Sequence, residues 1–215
     1  MISVTLDHPW LDLDLGQEMQ VLSWAPYRAG FVTARHILWR EVRNADLTEN
    51  FDAISWLENE VSTRAEQPAV AMLTSRNIRM NSLDTAESGR FLVSCLTTLG
   101  LTNAERVGTR LPPETRDYGT INLALVITPG LTEAAMLEAL SIATQARTAA
   151  VMDAGHDLPT GRATGTGTDC IAIACPKGDT AYAGLHTDVG EAIGRATYAA
   201  IAAEAKRWIE TEGKE

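Results

Sequence analysis

The chain has 215 residues, 45% of them hydrophobic, with a formal net charge of -10 and a pI near 4.9. That length and apolar content suit one substantial core in a single soluble domain, and the acidic balance argues against nucleic acid or another polyanion as partner, because phosphate binding needs clustered Lys and Arg. Three cysteines without metal-type spacing, and a start at Met1 to Asp7 without the regions of a signal peptide, point to the reducing cytoplasm; no run of about 18 apolar residues is present to span a membrane.

The N-terminal third reads as strands: Ile2 to Leu6, Leu11 to Leu15, Glu18 to Trp24, and a longer run from Gly30 to Val42 rich in β-branched and aromatic residues. Helical spacing of Ile54, Leu57 and Val61 predicts a helix over Phe51 to Ala65, ending before Pro68. Ala69 to Thr74 reads as a buried strand, Phe91 to Leu99 as a buried strand or a short helix, and Leu111 to Arg116, with two prolines, as an exposed linker. From Gly119 to Ile127 the residues Ile121, Leu123, Leu125 and Ile127 alternate with Ala124 and Val126, which predicts a central strand covered on both faces. Pro129 and Gly130 break it. Thr132 can cap a helix whose spacing through Met136, Leu137, Leu140, Ala143, Arg147 and Val151 runs to Gly155, a natural stop. A second two-faced strand runs from Cys170 to Ala174, and a last, alanine-rich helix from about Asp188 to Ile209. These elements predict a single α/β domain (mixed α+β), its sheet mixed or mainly antiparallel, with flanking helices.

Chemistry-bearing residues are concentrated in two neighbouring stretches, Ala163-Thr-Gly-Thr-Gly-Thr-Asp169 and Tyr182-Ala-Gly-Leu-His-Thr-Asp-Val-Gly-Glu-Ala-Ile-Gly-Arg195. A glycine and threonine loop, an Asp, a His and a Glu thus fall within about thirty residues, with a strand and a helix start to hold them. The loop has neither the spacing of a dinucleotide fingerprint nor the lysine of a Walker loop.

Four segments, Gly119-Thr-Ile-Asn122, the helix containing Ala143-Thr-Gln-Ala-Arg-Thr-Ala149, the Ala163–Asp169 loop and the Tyr182–Arg195 stretch, together resemble the adenosylcobinamide amidohydrolase family. The resemblance extends through Ala25 to Arg35 and Val70 to Thr74, and its specific part is residues 119 to 198. It implies a corrinoid-salvage hydrolase that cuts the amide joining the aminopropanol arm to the corrin ring, giving adenosylcobyric acid and 1-amino-2-propanol. The rival reading is a non-catalytic corrinoid-binding or trafficking protein that uses the same loop and the groove of Gly190 and Gly194.

Amide hydrolysis needs an activated water or side-chain nucleophile, donors for the developing oxyanion, and an acid for the departing amine. His186 is the first candidate for proton transfer because imidazole titrates near neutrality; its structural alternative is a satisfied histidine beside a helix start. Asp169, where the loop enters a strand, could orient His186 or bind water or a metal, or could be a turn residue bonding backbone amides. Glu191 is a second acid if Thr187 caps the last helix, and a capping-box partner if Asp188 does. Gly165, Thr166, Gly167 and Thr168 could offer backbone donors to a substrate, and Thr166 or Thr168 could be a nucleophile, although such threonines are usually loop hydrogen-bonding residues. Asn122, on the face opposite Ile121 and Leu123, and the groove of Gly190 and Gly194 complete the expected substrate contacts. The two glycines could instead seat the helix against the sheet or a partner subunit of a homo-oligomer. A divalent metal stays open as cofactor, since His186, Asp169 and Glu191 could supply ligands, though HxxxxE is not a standard zinc spacing.

Overall fold

The computed structural model describes residues 1–42, 52–64, 68–112 and 119–212. Twelve strands and three helices occur among them: β1 (Ser3–Asp7), β2 (Trp10–Ser23), β3 (Gly30–Glu41), α1 (Ala53–Thr63), β4 (Ala69–Thr74), β5 (Ser82–Ser88), β6 (Phe91–Leu99), β7 (Ala104–Glu105), β8 (Ile121–Thr128), α2 (Glu133–Ala154), β9 (Asp157–Leu158), β10 (Gly161–Arg162), β11 (Gly165–Thr166), β12 (Cys170–Cys175) and α3 (Asp188–Thr211). The main sheet has the order β4-β3-β2-β12-β8-β6-β5, with β1 paired to β2. Only β3 with β4 and β12 with β8 run parallel, so the sheet is mixed and mainly antiparallel, within one α+β domain.

Alternation along β8 sorts its side chains as the sequence predicts. Ile121, Leu123, Leu125 and Ile127 enter a core with Ile171 and Ile173 of β12 and the apolar faces of α2 and α3. Ala124 and Val126 join a second core with Leu11, Leu13 and Val21 of β2, Trp39 of β3 and Met72 of β4. Strands far apart in the sheet order share that second core because the sheet curls back on itself. Trp39 Nε1 donates to the Asn122 carbonyl at 3.4 Å, and Asn122 Nδ2 reaches the Leu73 carbonyl on β4 at 2.7 Å. Helix α1 closes a smaller outer cluster through Leu57 against Trp10, Leu38, Ala69 and Ala71.

Helix caps fall where side-chain chemistry puts them. Thr132 accepts from Ala135 N at 3.2 Å, and Gly155 ends α2 at φ 86, a left-handed conformation that glycine adopts without a Cβ clash. Thr187, not Asp188, caps α3, accepting from Gly190 N at 3.0 Å. The main sheet differs from the expected strands at two places, β2 and β5. Leu11–Leu15 and Glu18–Trp24 form one strand, β2, whose register against β3 shifts between Asp14 and Met19 around Gly16 at φ 75. Of the two readings of Phe91–Leu99, the strand is the one formed. β5 is an added edge strand that the sequence pattern did not signal. Residues 51, 65 and 113–116 of the predicted helix and linker lie outside the described residues. No described helix is long and apolar enough to cross a membrane.

Candidate active site

The Gly-Thr loop is built at the end of the sheet where the parallel strands β8 and β12 begin. β11 pairs with β7, placing Gly165 opposite Glu105 and Thr166 opposite Ala104. Asp169 then turns its carboxylate inward. Oδ1 accepts from Ile121 N at 3.1 Å, Thr166 N at 3.2 Å and Thr166 Oγ1 at 2.5 Å. Oδ2 accepts from Thr166 N at 3.1 Å and pairs with the Arg147 guanidinium, which also donates to the Thr164 carbonyl at 3.1 Å. Burial pushes the Asp169 carboxyl above the usual carboxylate range, against the opposing pull of Arg147, Thr166 and the Ile121 amide. Gly165 is needed for the pair itself: a Cβ there would collide with Arg147 Nη1 and stand 2.5 Å from Asp169 Oδ2.

Three further ties fix the loop. Trp24 Nε1 donates to the Asp169 carbonyl at 2.7 Å, Thr120 Oγ1 to the Thr168 carbonyl at 2.9 Å, and Thr168 Oγ1 to the Gly119 carbonyl at 3.2 Å. In front of the loop lies a cavity of about 850 Å³, walled by Thr164 to Asp169, by Thr144, Arg147 and Thr148 of α2, and by Asn103, Glu105, Arg106 and Arg110. That size suits a small molecule or one arm of a larger one.

Of the residues expected to act together, the structure joins the loop and Asp169 but not His186 or Glu191. The six residues of β12, spanning about 20 Å, separate the loop from the segment that leads to His186. His186 is exposed and makes no hydrogen bond or ion pair among the described residues. Glu191 accepts from Ser88 Oγ at 2.9 Å and stands 3.7 Å from Arg195, with 56% of its side chain exposed. No group of three or more His, Cys, Asp or Glu side chains among the described residues is arranged to hold a metal ion.

The remaining expected contacts also separate. Asn122 is buried behind β8 and spends its amide on Leu73, outside the cavity wall. Gly190 packs the first turn of α3 on its own approach loop, where a Cβ would collide with the Gly184 carbonyl and lie 2.8 Å from that of Ala183. Gly194 opens on an apolar groove between α2 and α3, lined by Ile142, Ala146, Ala149, Leu185 and Tyr198. Helix α2 therefore divides two surfaces: residues 144, 147 and 148 share one flank, and 142, 146 and 149 another, as 3.6-residue periodicity requires. Cys170, next to Asp169, is unsuited to attack, since burial first and then the Asp169 charge push its thiol up to about 12.

Arg147, on the cavity wall and paired with Asp169, is not singled out by the sequence; its signal is a lone cation on an alanine- and leucine-rich helix stripe. Asn103, Glu105, Arg106 and Arg110 carried no pattern.

The family model described as adenosylcobinamide amidohydrolase matches residues 2–213. An uncharacterized protein of Methanocaldococcus jannaschii is 29% identical over 204 residues, covering 79% of this chain and 76% of that protein. Among solved structures, a protein of Pyrococcus horikoshii is similar with a TM-score of 0.46 and 9% identity over 89% of this chain and 75% of that one. A beta-aminopeptidase of Burkholderia sp. has a TM-score of 0.45 and 11% identity over 93% of this chain and 78% of its own.

Proposed function

The chain belongs to the adenosylcobinamide amidohydrolase (CbiZ) family, and from that premise we propose that it hydrolyses the amide between the aminopropanol arm and the corrin ring of adenosylcobinamide, releasing adenosylcobyric acid and 1-amino-2-propanol. The observation that carries this reading is a convergence. Gly119–Ile121, the α2 segment around Arg147 and the Ala163–Asp169 loop are far apart in the chain, yet they meet at the Asp169 carboxylate on the wall of one cavity. Asp169 is the group that takes the proton of the attacking oxygen and returns it to the departing nitrogen. Arg147 holds that carboxylate in place, and the loop with Asn103 presents polar groups to the neutral amide arm.

Incubation of the protein with adenosylcobinamide tests the proposal. The expected result is release of 1-amino-2-propanol and adenosylcobyric acid in equal amounts, followed by chromatography and mass spectrometry. A shift in the corrinoid spectrum without release would make the protein a carrier and overturn the hydrolase reading.

A further inference from the structure

Within the hydrolase reading, on which this inference rests, the geometry points to Thr166 as a covalent nucleophile: its hydroxyl oxygen attacks the scissile carbonyl, and the corrin acyl group passes through an ester on the enzyme.

The first support is a saturated carboxylate. An ionised Asp offers about four lone-pair sites. Those of Asp169 are taken by Ile121 N, by Thr166 N, which reaches both oxygens, by Thr166 Oγ1 and by Arg147. No site is left for a water molecule. The side-chain hydroxyl already donating to Asp169 is that of Thr166, at 2.5 Å, so the oxygen that Asp169 can deprotonate is Thr166 Oγ1. The second support is presentation. Thr166 is partly exposed on the cavity wall, whereas the Asp169 side chain is only 8% exposed behind it. Backbone ties fix the residue, because Thr166 N is bound to Asp169 and β11 is paired with β7, and a β-branched side chain has few rotamers to lose. A third support is the environment of the oxygen itself: Thr168 N lies 3.4 Å from Thr166 Oγ1, directed at the site where negative charge develops as the proton leaves.

The step balances without a co-reactant other than water. Thr166 Oγ1 forms a bond to the carbonyl carbon while its proton passes to Asp169. The C–N bond then breaks, and Asp169 gives that proton to the leaving nitrogen, so 1-amino-2-propanol departs as the neutral amine. Water attacks the ester, one of its protons goes to Asp169, and the proton returns to Thr166 Oγ1 as the C–O bond breaks. The corrinoid leaves as the carboxylic acid.

The test is a single turnover of the wild-type enzyme with adenosylcobinamide, quenched in acid and digested for mass spectrometry, alongside Thr166→Ser and Thr166→Val. The inference expects an adduct of adenosylcobyric acid less one water on the peptide that contains Thr166. It also expects the adduct and turnover to persist in Thr166→Ser, and turnover to fall by roughly 10²-fold or more in Thr166→Val with its circular dichroism unchanged, as loss of a positioned catalytic group does. If Thr166→Val does not fold, the adduct in the wild type decides. Release of aminopropanol at the wild-type rate by Thr166→Val overturns the inference and leaves the hydrolase reading standing. Absence of release by the wild type overturns the hydrolase reading and this inference with it.

Discussion

The two flanks of α2 differ in how much structure has been committed to them. On one, Thr144, Arg147 and Thr148 face a loop whose Asp169 carries an ion pair to Arg147, both side chains about nine-tenths buried, at 8% and 11% exposure. On the other, Ile142, Ala146 and Ala149 face Gly194 and Tyr198 across a shallow apolar groove, with His186 exposed nearby in sequence and without polar partners among the described residues. A buried charge held by four donors costs desolvation energy that a solvated histidine does not. Retaining it beside a cavity is the pattern of a site preorganised for chemistry, whereas small apolar residues between two helices suffice for packing or for contact with a neutral surface.

Replacing the proton-transfer groups breaks this comparison most directly. Asp169→Asn should lower turnover by about 10²–10⁴ with the fold retained. His186→Ala should leave turnover on adenosylcobinamide close to that of the wild type. Equal losses at both positions, in protein whose circular dichroism is unchanged, would move part of the chemistry to the other flank and restore the pairing that the sequence suggests.

A thermodynamic cycle sharpens it next. Arg147→Met leaves a buried carboxylate without its cation and should cost about 3–5 kcal/mol of stability. Combining it with Asp169→Asn should recover much of that loss, because the uncompensated charge is gone. Urea unfolding of the four proteins measures the coupling, and additive losses would mean that the two side chains do not depend on each other.

How far the sequence revealed these features depends on the distance over which each is determined. Strand β8 and helix α2 were legible because alternation, a threonine cap and a terminal glycine are local, and each side chain in them obeys its own backbone. Strand β5 was not, since Ser82 to Ser88 is a mostly polar edge whose pairing is fixed by its partner β6. The two strands expected over Leu11–Leu15 and Glu18–Trp24 are one ladder, because β2 stays paired with β3 on both sides of the register shift between Asp14 and Met19. In the site, Asp169 and its loop were legible as a cluster. Arg147 reads locally as one member of a helical stripe, and only the tertiary fold brings its guanidinium to a carboxylate 22 positions away. His186 is near the loop along the chain, but the buried strand β12 intervenes between the two, and its side chain is exposed.

The pH profile gives a smaller and more specific discrimination. A base must be ionised to accept a proton, so kcat/KM falls as pH drops through the Asp169 pKa. Burial raises that carboxyl, and the acid limb should therefore lie above the ordinary Asp value of about 3.9. Arg147 opposes the rise, so the limb should move further up in Arg147→Met, measured at pH values where that variant remains folded. A limb that is unmoved by Arg147→Met would assign the acid transition to another group.

The smallest expected effects lie at the start of α3, where two neighbouring polar residues have separable roles. Thr187 Oγ1 accepts from Gly190 N at 3.0 Å and donates to the Gly184 carbonyl at 2.7 Å, so it satisfies an otherwise unpaired helix amide and ties the helix to its approach loop. Thr187→Ala should cost about 1 kcal/mol, the usual value of a lost N-cap. Glu191 is mostly exposed, and its contacts to Ser88 and Arg195 are made in solvent, where such pairs contribute from nothing to about 1 kcal/mol. Glu191→Gln keeps an acceptor for Ser88 and loses only the charge, so it should shift stability by about 0.5 kcal/mol or less. Both variants should hydrolyse adenosylcobinamide at the wild-type rate if the loop flank alone carries the chemistry. A Glu191→Gln enzyme that unfolds normally in urea yet loses turnover would show that the start of α3 reaches the substrate, and would make the exposed flank a second half of the active site.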